Sequence, residues 1–180
     1  IWAIMTDEEK RGALIFFGKG ECSSCHTGPA LNSMEFHALG MNDFSGSDVQ
    51  GLTAMQIADA GKGRGSFTKA TADMYKFKVP QLYNMKDSPF YGHGGGFQSI
   101  EAVVRYKNLA VKENSMAPDG QLASGFKPLG LTETEIAELT KFLEKSLYDA
   151  SLARYSPAAL PSGNCFPNAD LQSKTDLDCN

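Results

Sequence analysis

The chain has 180 residues, with 17 Lys and Arg against 21 Asp and Glu, and a formal net charge of -4. Its 42% hydrophobic content is enough for one core in a single domain of this size. The mild acidity gives no electrostatic case for nucleic acid as a partner, and no apolar run approaches the ~20 residues that a membrane span needs.

Ile1 to Met5 is too short for the apolar core of a secretory leader, so a removed leader or a start further upstream is expected. Thr6-Asp7-Glu8-Glu9 is a capping box, which predicts a helix starting there. That helix carries Leu14, Ile15 and Phe17 toward the next segment and stops near Gly18 or Gly20, where glycine suits a C-terminal cap.

Cys22-Ser23-Ser24-Cys25-His26 follows at once. Two thiols three apart with an imidazole directly after the second form the attachment signature of a c-type haem. The chemistry needs this order: the cysteines add across the haem vinyl groups, and the histidine is held against one face of the iron. A bare CxxC also occurs in redox disulfides and in zinc sites. A zinc site, however, wants two further ligands at sensible spacing, and the other cysteines and histidines stand far off or singly.

From Gly40 to Ala72 the chain is rich in Gly, Ser, Asp and Thr without a sustained period, and reads mainly as loop. Ser99 is a plausible N-cap for a helix with Ile100, Val103 and Val104 on one face, and Lys107 falls on that same face. Its stem could simply lie along apolar surface with the ammonium in water, yet desolvation beside iron would favour the neutral amine that ligation requires. A second capping box, Thr132-Glu133-Thr134-Glu135, precedes the stripe Ile136, Leu139, Leu143 and Leu147, and predicts the last helix. The terminal segment has little apolar periodicity, and a Cys165 to Cys179 disulfide would fix it, at roughly 3 kcal/mol for a loop of about 15 residues. Haem c and a disulfide both point outside the reducing cytosol, to a bacterial periplasm or an extracellular surface. No alternating strand pattern or repeat is present. The expected fold is therefore mainly α: a cytochrome c-like haem domain over residues 1–150 with long loops, then a disulfide-closed extension over 151–180.

Several linked motifs, in order, carry a resemblance. These are Lys10-Arg11-Gly12 with Phe16-Phe17, Cys22 to Pro29, and Phe36-His37-Ala38-Leu39-Gly40. Further on come Lys76 to Asn84, and Tyr91-Gly92-His93 with Phe97, Ile100, Glu101, Val103 and Val104. From Thr6 to about Leu147 the chain resembles the C-terminal haem domain of the bacterial di-haem cytochrome c peroxidase/MauG family. The resemblance implies a mainly helical domain that pairs with a second haem domain, whose CxxCH is not in this sequence. It departs from the family pattern at Tyr83, where an Arg is common, and at His93-Gly94-Gly95, where His-Asp-Gly is common.

Lys107 occupies the position of the family's variable distal ligand, so His26 and Lys107 are the expected iron ligands, with Met116 as the alternative and Met85 and Met74 behind it. His37 and His93 read as packed or hydrogen-bonding imidazoles. The resemblance also carries over, weakly, a calcium near the carbonyls of Ser88 and Phe90. Lys76, Lys78 and Arg64 could meet haem propionates, although charged loop residues are usually just solvated.

The function this implies is electron transfer through one covalent haem c toward hydrogen peroxide reduction at a second haem, with a redox protein or a second haem domain as partner. Two alternatives stand beside it: a single-haem electron carrier, and a MauG-type oxidase of a protein substrate.

Overall fold

In the computed structural model residues 4–42, 61–149 and 175 are described, and every structural statement below concerns those residues. Cys165 and Cys179, and with them the expected disulfide, lie outside this set, as does most of the loop expected before Ala72.

Helix α1 spans Asp7–Phe17 and starts at the expected capping box: the Thr6 hydroxyl accepts the Glu9 amide, and the Glu9 carboxylate accepts the Thr6 amide. The helix stops at Phe17 with Gly18 as its C-cap, yet Gly18 has φ -121°, so the stop does not use the left-handed conformation that favours glycine there. Instead the Gly18 and Gly20 amides both donate to the Ile15 carbonyl, which closes the last turn.

Of the three apolar residues expected to lead toward the cysteine motif, Ile15 alone is buried. Gly12, Ala13, Ile15 and Phe16 are buried, whereas Leu14 is 65% and Phe17 61% exposed. The reason is a helix crossing at Gly12. A methyl built on Gly12 would meet the Glu138 carbonyl oxygen and come within 2.7 Å of Phe142 Cβ, so the closest approach of backbones selects this stripe.

A 3-10 turn over Cys22–Ser24 follows, then β1 (Phe36–His37), α2 (Arg64–Thr68) and β2 (Phe77–Lys78). The two strands pair antiparallel, with Phe36 opposite Lys78 and His37 opposite Phe77. At two residues each they are too short to show a period of two in sequence.

Helix α3, Ile100–Leu109, starts at Ser99 as expected, whose hydroxyl accepts the Ala102 amide at 3.1 Å. Helix α4, Glu133–Lys141, starts at the second capping box and runs on as a π turn over Phe142–Ser146. All four stripe residues, Ile136, Leu139, Leu143 and Leu147, are buried. The core joins α1, α3 and α4, with Phe16, Ile136 and Leu139 almost fully enclosed and the Phe16 and Phe142 rings 5.5 Å apart. Each such side chain contributes about 1.5–3 kcal/mol by leaving water. This frame leaves the cysteine turn projecting directly from the end of α1.

The chain divides into one compact unit of Ile1–Tyr148, which holds every element named above, and another of Asp149–Asn180. Among the described residues no helix is long and apolar enough to cross a membrane.

Candidate functional site

The turn that carries the cysteines is set by Glu21, which takes a left-handed conformation at φ 48° and redirects the chain after α1. The Cys25 and His26 amides then donate to the Cys22 carbonyl at 3.3 and 3.0 Å, which places both thiols and the imidazole on one tight turn. Cys22 packs against the core that contains Ile100 and Val104 of α3. Its thiol is pushed up to about 11, chiefly because burial disfavours the thiolate, with the positive charge of Lys107 pulling the other way. Cys22 and Cys25 are both free thiols, which removes the disulfide reading of this CxxC.

His26 is held by two backbone carbonyls. Its Nδ1 lies 3.1 Å from the Leu31 oxygen and 3.1 Å from the Pro80 oxygen. Carbonyl oxygens only accept, so Nδ1 carries the proton and Nε2 presents the lone pair. Burial lowers the imidazole pKa, which keeps the ring in the neutral form that binds a metal. A second partner on the far nitrogen is the usual way a ligating histidine is aimed.

Lys107 enters this space from α3. It shares one helical face with the buried Ile100 and Val104, seven and three residues earlier. As a whole residue it keeps some surface, but the protein around it is dense enough that desolvation lowers its ammonium pKa, while the two cysteine thiols act to raise it. Lys107 also pulls down the pKa of His26 by like-charge repulsion. The sequence-predicted Cys22, Cys25, His26 and Lys107 thus share one electrostatic neighbourhood.

The other candidates are placed elsewhere. Met116 is 71% exposed. Met74 lies against Gly65 of α2, and Met85 is half-buried against the main core. His37 meets Glu35 at 3.2 Å, and the His93 ring stacks on Phe77 with centroids 3.6 Å apart. The Phe90 carbonyl accepts the Ser88 hydroxyl at 2.6 Å. Lys78 donates to the carbonyls of Ser33 and Val79, and Arg64 pairs with Asp73 at 3.1 Å while lying over the Phe36 ring. Tyr83, where the resembled family has Arg, hydrogen-bonds the Pro29 carbonyl at 2.8 Å, just beyond the cysteine motif.

The donor set fits a covalently attached iron porphyrin better than a bare ion. Among the described residues no group of three or more His, Cys, Asp and Glu is arranged to hold a metal, so a four-ligand zinc site is not formed there. Two adjacent thiols and a histidine whose far nitrogen is held by carbonyls are what a c-type haem would use, and Lys107 stands in the same electrostatic neighbourhood as a second nitrogen donor. Sequence reasoning gave no role to the Leu31 and Pro80 carbonyls, because a backbone acceptor has no residue-type signature.

No protein-family model matches the chain. Curated relatives do. Cytochrome-c peroxidase IdrP1 of Denitromonas iodatirespirans is 31% identical over 160 residues, which cover 79% of this chain and 41% of that protein. The methylamine utilization protein MauG of Methylorubrum extorquens is 31% identical over 139 residues, 76% of this chain and 34% of that protein. The chain belongs to the cytochrome c peroxidase/MauG family.

Solved structures agree at the level of fold. A MauG-like protein associated with microbial copper homeostasis superposes with a TM-score of 0.65 at 24% identity, over 82% of this chain and 45% of that one. The diheme peroxidase BthA of Burkholderia thailandensis gives 0.60 at 16% identity, over 83% of this chain and 44% of that one. The chain thus spans about two fifths of the length of the family members it matches.

Proposed function

We propose that this chain is the c-type haem electron-transfer domain of a di-haem cytochrome c peroxidase-like protein, passing electrons toward hydrogen peroxide reduction at a second haem. Cys22 and Cys25 would hold the group covalently, each thiol adding its S–H across one vinyl group. His26 and Lys107 would hold its iron. The observation that supports this most is the pair of carbonyls on His26 Nδ1, which fixes the tautomer that a ligating imidazole needs.

When bound, the haem supplies a one-electron iron couple. The residues of this chain then do three things. The thiols would fix the group next to α1, the His26 imidazole and the Lys107 amine would hold its iron and leave peroxide no place to bind, and the core would exclude water from that side. Covalent haem attachment supports a site outside the reducing cytosol, in a bacterial periplasm or at an extracellular surface.

The test is production in a bacterial periplasm with the cytochrome c maturation machinery, followed by denaturing electrophoresis with haem stain and low-temperature EPR. Covalent haem is expected in the native chain and lost in Cys22→Ala/Cys25→Ala, with a low-spin ferric signal indifferent to peroxide. Absence of covalent haem overturns the attachment; a high-spin signal changed by peroxide overturns the closed electron-transfer role.

A further inference from the structure

The lobe of residues 61–78 holds Lys62, Arg64, Lys69, Lys76 and Lys78 against the single carboxylate of Asp73, in a chain whose formal charge is -4. Charge is therefore separated within this molecule, and the separation is local. The backbone makes the lobe one piece: the Arg64 amide donates to the Lys76 carbonyl at 2.8 Å, the Tyr75 amide to the Lys62 carbonyl at 2.8 Å, and Gly63 bridges to Lys76. Arg64 lies 4.5 Å over the Phe36 ring, and Phe36 pairs with Lys78.

A second feature sits on the same lobe. Phe67, on α2 three residues from Arg64, is 90% exposed, the highest value among the exposed large hydrophobic residues. A bare aromatic ring on a lobe whose sequence is rich in cations has the composition of an interface centre, where aromatics and Arg are enriched.

The lobe also roots in the site. Two residues beyond Lys78, Pro80 offers its carbonyl to His26 Nδ1, and the buried Val79 between them holds its amide on the Glu35 carbonyl at 3.1 Å. A protein seated on the lobe is therefore only a few residues of backbone from the iron ligand. We propose that the lobe of residues 61–78 is the docking surface for an acidic electron-carrying protein, with Phe67 as its apolar centre and the lysines of the lobe steering approach. This rests on the haem reading above. It fits a transient redox encounter, whose interfaces are small and whose rates depend on charge complementarity.

The experiment uses the haem-loaded protein, reduced, mixed in a stopped-flow instrument with two oxidants of opposite charge, ferricyanide and tris(phenanthroline)cobalt(III). The net charge of the chain alone predicts repulsion of ferricyanide, so that its rate rises with added salt. The proposed surface predicts the reverse: a ferricyanide rate that falls about tenfold from low to high ionic strength, and a cobalt rate that rises. The neighbouring sequence carries Asp43, Asp48 and Asp59, and this measurement reads the field that remains when they are counted.

Lys69→Glu/Lys76→Glu, checked by circular dichroism, is expected to remove the ferricyanide effect. Phe67→Ala is expected to slow oxidation by an acidic blue-copper protein several-fold and to leave the ferricyanide rate alone. A ferricyanide rate that rises with salt in the native protein, or equal effects of Phe67→Ala on both reagents, overturns the docking surface and leaves the haem reading standing. A chain without covalent haem, seen beforehand by haem stain, overturns both.

Discussion

His26 Nδ1 lies 3.1 Å from the carbonyl oxygen of Pro80, a residue 54 positions further along the chain. One end of the His26 imidazole is thus fixed by a segment that shares no local sequence with it, and β2 delivers that segment through its pairing with β1. In the reduced, diamagnetic haem-bound protein this hydrogen bond predicts a slowly exchanging His26 Nδ1 proton, with nuclear Overhauser contacts to Leu31 and Pro80. A proton that exchanges freely with solvent would show that the carbonyls do not hold the ring.

The crossing of α1 and α4 makes a prediction in which two effects have opposite sign. By helix propensity alone, Gly12→Ala should stabilise by about 1 kcal/mol. The new methyl, however, would press on the Glu138 carbonyl and on Phe142 Cβ, both backbone or root atoms that do not swing away. Overpacking of this kind costs about 1–3 kcal/mol, and the clash should win. The melting temperature is expected to fall by several degrees with an unchanged denaturant slope; a rise would mean that the helices separate without cost.

Acid should loosen the same interface. Glu8 pairs with Lys141 and Glu135 with Lys19, ion pairs that tie α4 to α1 and to the second residue beyond it. Both carboxyls are held below their ordinary value of 4.5, in each case chiefly by the hydrogen bond from the lysine. A carboxyl whose pKa is depressed in the folded state contributes stability that is present above the unfolded value and is lost as pH falls through the folded one. Urea midpoints measured from neutral pH to about pH 3 should therefore drop below pH ~4.5. In Glu8→Gln/Glu135→Gln the drop should be shallower. Glu8 is exposed and Glu135 half-buried, both still in reach of solvent ions, so high salt should also shrink the difference between the two proteins.

The helix starts were legible because a capping box is local chemistry: Thr6 with Glu9 and Thr132 with Glu135 satisfy each other's backbone within one turn. The α4 stripe was legible for the same kind of reason, its period being carried by the residues themselves. The buried face of α1 was not, because Leu14 and Phe17 look as apolar as Phe16 until the partner helix is present and Gly12 decides the approach. The cysteines and His26 announced themselves by spacing, whereas the carbonyls that aim His26 depend on tertiary structure alone. Tyr83 shows the limit of reading a departure from a family pattern: its hydroxyl finds the Pro29 carbonyl, an acceptor beside the cysteine motif.

Lys107 is the residue on which sequence and structure now bear together. Its place on the face of α3 with Ile100 and Val104 was read from helical spacing, and the fold puts that face over the turn that carries Cys22. Desolvation first, against the opposing pull of the two thiols, lowers its pKa, which is the direction an amine must move to offer a lone pair to iron. Met116, the alternative, is 71% exposed and would have to fold back to compete. Lys107→Ala in the haem-loaded protein is therefore expected to convert the ferric EPR signal from low to high spin and to open the iron to added imidazole. Lys107→Met is expected to restore a low-spin signal with a methionine-ligated absorption band near the far red. If Lys107→Ala leaves the low-spin signal unchanged, the amine is not the ligand; if Met116→Ala then converts it, the exposed loop closes over the haem after all.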